Sequence, residues 1–161
     1  MIEIKKILKN VFIIYFIILS CNSAFAFELP SIVGEARRVL LGPVDEHLGY
    51  EFIKEMPILI IPVAIIEDKD ILDIESVGNS QLFFETYNDH PQTIHLKTDN
   101  QGAFSVSIAT GSYFICTVYK FPRDKNWQFY AKKRILIKNN SQIKLKITFN
   151  PAWQGLKIED F

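Results

Sequence analysis

Apolar and polar residues alternate along most of the second half of the chain. Phe104, Val106 and Ile108 alternate with two serines, and residues 142–150 repeat the same pattern with lysines between the apolar positions. A period of two is typical of a strand that has one buried face and one solvated face. The pattern therefore predicts β-structure with a core on one side of each strand.

Turn residues divide these alternating stretches into short strands. Gly102, in the sequence DNQG, and Gly111, after Thr110, permit tight corners between neighbouring strands. We expect strands at 32–41, 81–87, 92–98, 103–108, 112–121, 128–138 and 142–150. No amphipathic helix of ten residues or more is expected. The sequence predicts an all-β protein, an antiparallel β-sandwich of about seven to eight strands.

The stretch 50–68 is the most apolar part of the chain after the N-terminus. Pro57 and Pro62 exclude a helix through it, and its Ile, Val and Leu residues favour a strand. Pro62 predicts a bulge or an edge position, because proline lacks the N–H that a central strand donates. Residues 68–80 are expected to form a loop.

The N-terminus has the three parts of a secretory signal. Three lysines lie between positions 5 and 9, an unbroken apolar run follows at 11–19, and Ala24-Phe25-Ala26 places small residues before a cut. The apolar run is shorter than the roughly 20 residues that a spanning helix needs. We expect a signal peptide at 1–26 and a single β-sandwich domain at 27–161, clearest over 92–150.

A second processing route stays open at the same end. Ile18-Leu19-Ser20-Cys21 resembles a bacterial lipoprotein cleavage box, which would leave Cys21 as a lipidated N-terminus. Both routes export the protein. The expected location is the periplasm or the extracellular space, or alternatively the outer membrane as a lipoprotein.

The charge balance argues against a nucleic-acid partner, and the cysteine content argues against a disulfide. The chain has 18 basic and 18 acidic side chains; removal of residues 1–26 leaves 15 and 17, so nothing favours nucleic acid. Cys21 is either removed or acylated, which leaves Cys116 without an intramolecular partner. Cys116 lies in an apolar strand pattern and is expected to be a small buried hydrophobic residue.

The hairpin region resembles the carboxypeptidase regulatory-like family. Its signature is similar to Thr98, Asp99, Gly102 and Phe104 followed by Gly111-x-Tyr113 and an apolar strand. The resemblance implies a transthyretin-like, Ig-like β-sandwich. It is clear over about residues 92–150, and Gly34-Glu35-Ala36 corresponds to the family's first strand, whereas 41–56 looks like an insertion.

No motif for catalysis or metal binding is present in the sequence. His47, His90 and His95 have neither the helical i, i+4 spacing nor a standard zinc spacing. Phosphate-binding loops and nucleophile elbows are missing too. We expect a non-enzymatic protein without metal or cofactor.

The stretch Lys120 to Tyr130 is the strongest candidate for an interaction surface. Arg123, Trp127 and Tyr130 belong to the residue types that are enriched at binding hot spots. Trp127 could instead cover one end of the sandwich. The expected partner is an envelope protein or a glycan, with a membrane contact only if Cys21 is lipidated.

These features predict an exported binding or structural module of the cell envelope. Two other roles remain open: an accessory domain or subunit of an envelope enzyme, and a subunit of a surface assembly that pairs through an exposed edge strand.

Overall fold

The computed structural model describes residues 29–44, 46–66, 80–122 and 127–161. The expected signal peptide and Cys21 lie outside these ranges, as do Arg123 and most of the predicted loop at 68–80. The described residues form nine strands and one α-helix. The strands are β1 (Ser31–Leu41), β2 (His47–Phe52), β3 (Pro57–Pro62), β4 (Ile94–Lys97), β5 (Ala103–Ser107), β6 (Gly111–Lys120), β7 (Gln128–Ile137), β8 (Gln142–Asn150) and β9 (Gly155–Asp160). The helix is α1 (Ser80–Asn88).

The strands form two sheets packed as a sandwich, which confirms the predicted fold class. Sheet 1 has the order β2-β1-β8-β9, and β5 pairs with β1 beyond the end of β2. Sheet 2 has the order β4-β3-β6-β7. All pairs are antiparallel except β1 with β8, which run parallel with Ile32 opposite Ile143. The main core lies between the sheets and includes Ile60, Ile115 and Ile147.

Strand β3 of sheet 2 is buried on both faces. Ile58 and Ile60 of β3 point into the main core, while Leu59 and Ile61 point to a second cluster on the opposite face. A strand covered on both sides needs apolar residues at every position, which explains why Ile58 to Ile61 are all apolar. Strand β3 lies between β4 and β6, but its pairing with β4 ends at Ile60, so Pro62 is paired only with Tyr113 of β6 and its other side is an edge, as expected. Pro62 is the last residue of β3, where the strand gives way to a 3-10 turn.

The predicted strand at 81–87 is wrong, because these residues belong to α1. Phe83 and Tyr87 are one helical turn apart and pack together on the outer face of sheet 2, with Phe83 5.3 Å from the ring of Phe114. Residues four apart share one face of a helix, so a single turn buries both rings. Contact with the apolar outer face of sheet 2 stabilises a helix that is too short to be stable alone.

The hairpin before β5 explains the TDxxG pattern. The carboxylate Oδ1 of Asp99 accepts hydrogen bonds from the N–H groups of Gln101 at 2.8 Å and Ala103 at 2.9 Å. Gly102 has φ of 73°, as predicted, and a Cβ there would lie 2.6 Å from the carbonyl oxygen of Ala36. Thr98 is buried, and its hydroxyl donates to the carbonyl of Ile53 at 2.6 Å. These residues are scaffold.

The remaining differences from the sequence expectations concern β2 and β9, the two outer strands of sheet 1. The supposed insertion at 41–56 contains β2, which forms a hairpin with β1. Strand β9 was not predicted, and it pairs with β8 at the edge of sheet 1. Cys116 is fully buried in the cluster beneath α1, as expected.

Candidate functional site

The described parts of the interaction surface expected at 120–130, residues 120–122 and 127–130, lie at one end of the sandwich. β6 ends at Lys120 and β7 begins at Gln128, and the N–H of Phe121 donates to the carbonyl of Trp127 at 3.1 Å across the base of the loop. This hydrogen bond holds the two ends of the loop together. Trp127 is 51% exposed at this position.

Trp127, directly before β7, and Tyr130, within it, point to opposite faces of sheet 2. On one face, the ring of Trp127 lies 6.4 Å from that of Phe129, which in turn lies 4.9 Å from Phe149 of sheet 1. On the other face, the ring of Tyr130 lies 5.6 Å from that of Phe84 in α1. Successive side chains of a strand alternate between its faces, so positions 127 and 130 diverge. The two residues consequently line two different clefts.

The aromatic cleft is the space beside Trp127 at the open end between the two sheets. Its volume is about 350 Å³. It is lined by Phe121, Trp127, Phe129, Phe149, Pro151 and Gln154. Phe149 is buried and forms the floor, while Trp127 remains half exposed at the side. Among the described residues that line it none is charged, and Gln154 supplies an amide that can donate and accept hydrogen bonds.

The helix-side cleft lies between α1 and the start of β7, and its volume is about 500 Å³. Glu85 of α1 and Asp89, directly after it, line this cleft together with Lys120 and Tyr130. The Tyr130 hydroxyl donates to Oε1 of Gln128 at 2.7 Å. Burial raises the pKa of the Tyr130 hydroxyl, and the negative charge of Glu85 raises it further. The phenol therefore stays protonated at neutral pH and can act as a hydrogen-bond donor.

A third groove, of about 340 Å³, opens where β2 leads towards β3. Arg38 Nε donates to Oε2 of Glu51 at 2.6 Å. Burial lowers the pKa of Arg38, but hydrogen bonds with Tyr119 and Glu51 outweigh it, so the pKa lies above its usual value. Since this guanidinium is bonded within the groove, it holds the β2 end of sheet 1 against sheet 2.

The histidines are dispersed over the fold. The ring of His47 lies edge-to-face with that of Tyr50, with ring centroids 4.8 Å apart, and the Nδ1 atom of His90 accepts from the N–H of Gln92 at 3.2 Å. His95 is exposed on β4. Within the described ranges, no three side chains among His, Cys, Asp and Glu come together as metal ligands would. Burial raises the pKa of the Cys116 thiol, which keeps this side chain in its neutral form.

Sequence reasoning identified Trp127 but missed the residues that complete each cleft. Phe149, Pro151 and Gln154 come from β8 and the turn after it. Glu85 was assigned to a strand, although Phe83 and Tyr87 at i, i+4 spacing carried a helical signal. Positions 127 and 130 are an odd number of residues apart, so in an extended chain their side chains point to opposite faces, which the sequence alone could have indicated.

Comparisons with known proteins give only remote matches. No known protein family matches the sequence, and no curated protein matches it. The minor pilin of Streptococcus agalactiae matches with a TM-score of 0.44 and 8% identity, over 77% of this chain and 45% of the pilin. A candidate carbohydrate-binding protein of Pseudomonas aeruginosa matches with a TM-score of 0.45 and 14% identity, over 79% of this chain and 93% of its own length.

The major pilin subunit of Bacillus cereus matches with a TM-score of 0.39 and 12% identity, over 74% of this chain and 29% of the pilin. This chain therefore spans less than half the length of either pilin. No helix within the described ranges has the length and apolar character that a membrane crossing requires.

Proposed function

We propose that this protein is an exported, non-enzymatic binding module of the cell envelope. The lysines before position 10, the apolar run at 11–19 and the small residues ending at Ala26 support export. The mature domain would then be 27–161. Its location is the periplasm or the extracellular space, and lipid attachment at Cys21 is the alternative that would place it on the outer membrane.

The module is a diverged member of the carboxypeptidase regulatory-like group. The hairpin geometry supports this assignment: Asp99 caps the turn, Gly102 takes a positive φ, and Phe104 enters the core. Tyr113, at the start of the returning strand, donates from its hydroxyl to the carbonyl of Ala109 at 3.0 Å. The four positions have the scaffold roles that the resemblance implies for them.

The single observation that carries the binding role is the half-exposed ring of Trp127 beside the aromatic cleft. A tryptophan that only covered a core would lose most of its surface, whereas this ring keeps 51% of it. The cleft volume of about 350 Å³ falls within the range of small-ligand sites. The cleft can therefore accept one group of the size of a single ring.

The chemistry of the aromatic cleft favours an uncharged ring with one apolar face. The aromatic floor and wall can cover C–H groups, and the Gln154 amide can bond to hydroxyl groups at the rim. A charged group would lose hydration without an opposite charge among the described lining residues. A sugar residue of an envelope glycan combines the apolar face and the hydroxyl edge that this site requires.

Tryptophan fluorescence tests the proposal directly, because the chain has only two tryptophans, Trp127 and Trp153. In the Trp153→Phe variant, Trp127 is the only indole that emits. We expect its emission to shift on titration with soluble fragments of envelope glycan. The matched Trp127→Phe variant, in which Trp153 alone emits, should show no shift and should bind at least about tenfold more weakly, as hot-spot aromatic residues do.

The proposal fails if neither variant responds to any glycan fragment while binding to whole envelope material persists. It also fails if Trp127→Phe leaves glycan affinity unchanged. In the first case the partner is a protein, and in the second the glycan binds elsewhere on the domain.

The second candidate function is that of a subunit in a surface or enzyme assembly. One observation favours it: β2 lies at an edge of sheet 1 with large apolar side chains exposed. Exposed apolar edges pair with further strands.

A further inference from the structure

We propose that β2 is a self-association edge, which pairs antiparallel with β2 of a second copy about a twofold axis. Within the described ranges β2 pairs only with β1, so its outer edge is open. Every residue of β2 except Gly49 is exposed. Pairing across this edge would join the two copies of sheet 1 into one continuous sheet.

The backbone of β2 presents hydrogen-bonding groups to the open edge. The N–H of Ile53 donates to the carbonyl of Ala36 at 2.9 Å, and the ladder continues with Phe52 opposite Arg37 and Tyr50 opposite Val39. Hydrogen bonding to the partner alternates along an antiparallel pair. Since Ile53 bonds towards β1, the N–H and C=O groups of Tyr50 and Phe52 point away from it. A second strand can pair with these groups.

Apolar side chains are concentrated beside these backbone groups. Residues 44–52 hold four of the ten large apolar side chains that are exposed in the described part of the chain. The exposed fractions are 86% for Val44, 61% for Leu48, 47% for Tyr50 and 50% for Phe52. Isolated exposed apolar residues are ordinary, but three on one open edge strand, with a fourth in the turn before it, are typical of an interface.

Charge explains why the expected occupant is a second copy of the same strand. Of the other edge strands, β7 carries three cations, Lys132, Lys133 and Arg134, which a twofold pairing would bring together, and β4, β5 and β9 expose no large apolar side chain. β2 contains no lysine or arginine, and its only carboxylate, Glu51, is bonded to Arg38. Two copies of β2 can therefore meet without unpaired like charges.

The size of the edge predicts a weak dimer. Six strand residues and Val44 offer less surface than the roughly 800 Å² per partner of a stable interface. We therefore expect the association to be weak and reversible. This inference concerns a different surface from the aromatic cleft and does not depend on glycan binding.

Sedimentation velocity of the exported protein over a wide concentration range tests the proposal. The mean mass should rise from monomer towards dimer as concentration increases. Leu48→Lys should weaken association at least about tenfold, since it places like charges across the paired edge. Leu136→Lys is the matched control, because Leu136 is 58% exposed on the edge strand β7 and its replacement should leave association unchanged.

Amide hydrogen exchange provides a second readout that needs no variant. The N–H groups of Tyr50 and Phe52 should gain protection as concentration rises, whereas the N–H of Ile53 is bonded to Ala36 and should be protected throughout. A mass that stays monomeric at every concentration would overturn the proposal. A dimer that Leu136→Lys abolishes and Leu48→Lys preserves would do the same.

Discussion

The ring of Phe104 lies across the backbone of Gly34, directly opposite it on the neighbouring strand. A Cβ on Gly34 would lie 2.6 Å from Cε1 of Phe104 and 2.5 Å from the carbonyl oxygen of Leu145 on the other side. No side chain fits between these atoms. Gly34 is therefore required so that Phe104 can reach the core between the sheets.

Replacement of Gly34 by alanine should destabilise the domain by about 1–3 kcal/mol, because the added methyl group forces Phe104 or β8 to move. Urea denaturation measures the free energy of unfolding. Gly42→Ala is the control, since a Cβ there would make an ordinary contact of 3.5 Å with Glu46. Equal stability of Gly34→Ala and the unmodified protein would show that the ring of Phe104 lies elsewhere.

Truncation of Phe104 and of Trp127 should separate the scaffold from the binding surface. Phe104 is 6% exposed, so Phe104→Ala should cost about 3–5 kcal/mol and lower the melting temperature strongly. Trp127→Ala removes a half-exposed ring and should cost less than about 1 kcal/mol. Thermal unfolding followed by circular dichroism compares the two. A similar loss in both variants would make Trp127 part of the core and remove the aromatic cleft as a binding site.

Alkaline pH should destabilise the domain partly through Cys116. Burial raises the pKa of this thiol in the folded state, whereas in the unfolded chain it is about 8.5. The protonated thiol contributes fully to folding stability below the unfolded pKa. This contribution is lost as pH rises above that value, with a slope of at most about 1.4 kcal/mol per pH unit. The stability difference between the unmodified protein and Cys116→Ala should therefore shrink between about pH 8 and pH 10. Parallel pH profiles would contradict this prediction, because other titrating groups are common to both proteins.

The mature protein should begin at Phe27. The motivation is Ala24-Phe25-Ala26 after the apolar run, which places small residues where signal peptidase requires them. Intact-mass analysis of protein recovered from the envelope measures the N-terminus. A diacylated species beginning at Cys21 would replace this prediction with the lipoprotein alternative and place the protein on a membrane surface.

The sequence by itself determined the strands whose side chains alternate and the turns between them. Phe104, Val106 and Ile108, and the apolar positions of β8, have a period of two that requires no distant contact to recognise. Gly102 could be assigned a positive φ for the same reason, because the conformational limits of a turn are local. Trp127 could be proposed for binding from residue type and its place in a polar loop.

Tertiary structure alone decided the helix, the order of the strands and the composition of the clefts. The i, i+4 spacing of Phe83 and Tyr87 is compatible with a helix, but α1 is stable because both rings meet the outer face of sheet 2, which the local sequence does not reveal. The parallel pairing of β1 with β8 joins residues more than a hundred positions apart, and the packing of sheet 1 against sheet 2 brings Phe149 and Gln154 beside Trp127. Alternation along a strand follows from the geometry of neighbouring peptide units, but the choice of adjacent strands depends on how complete faces pack against one another.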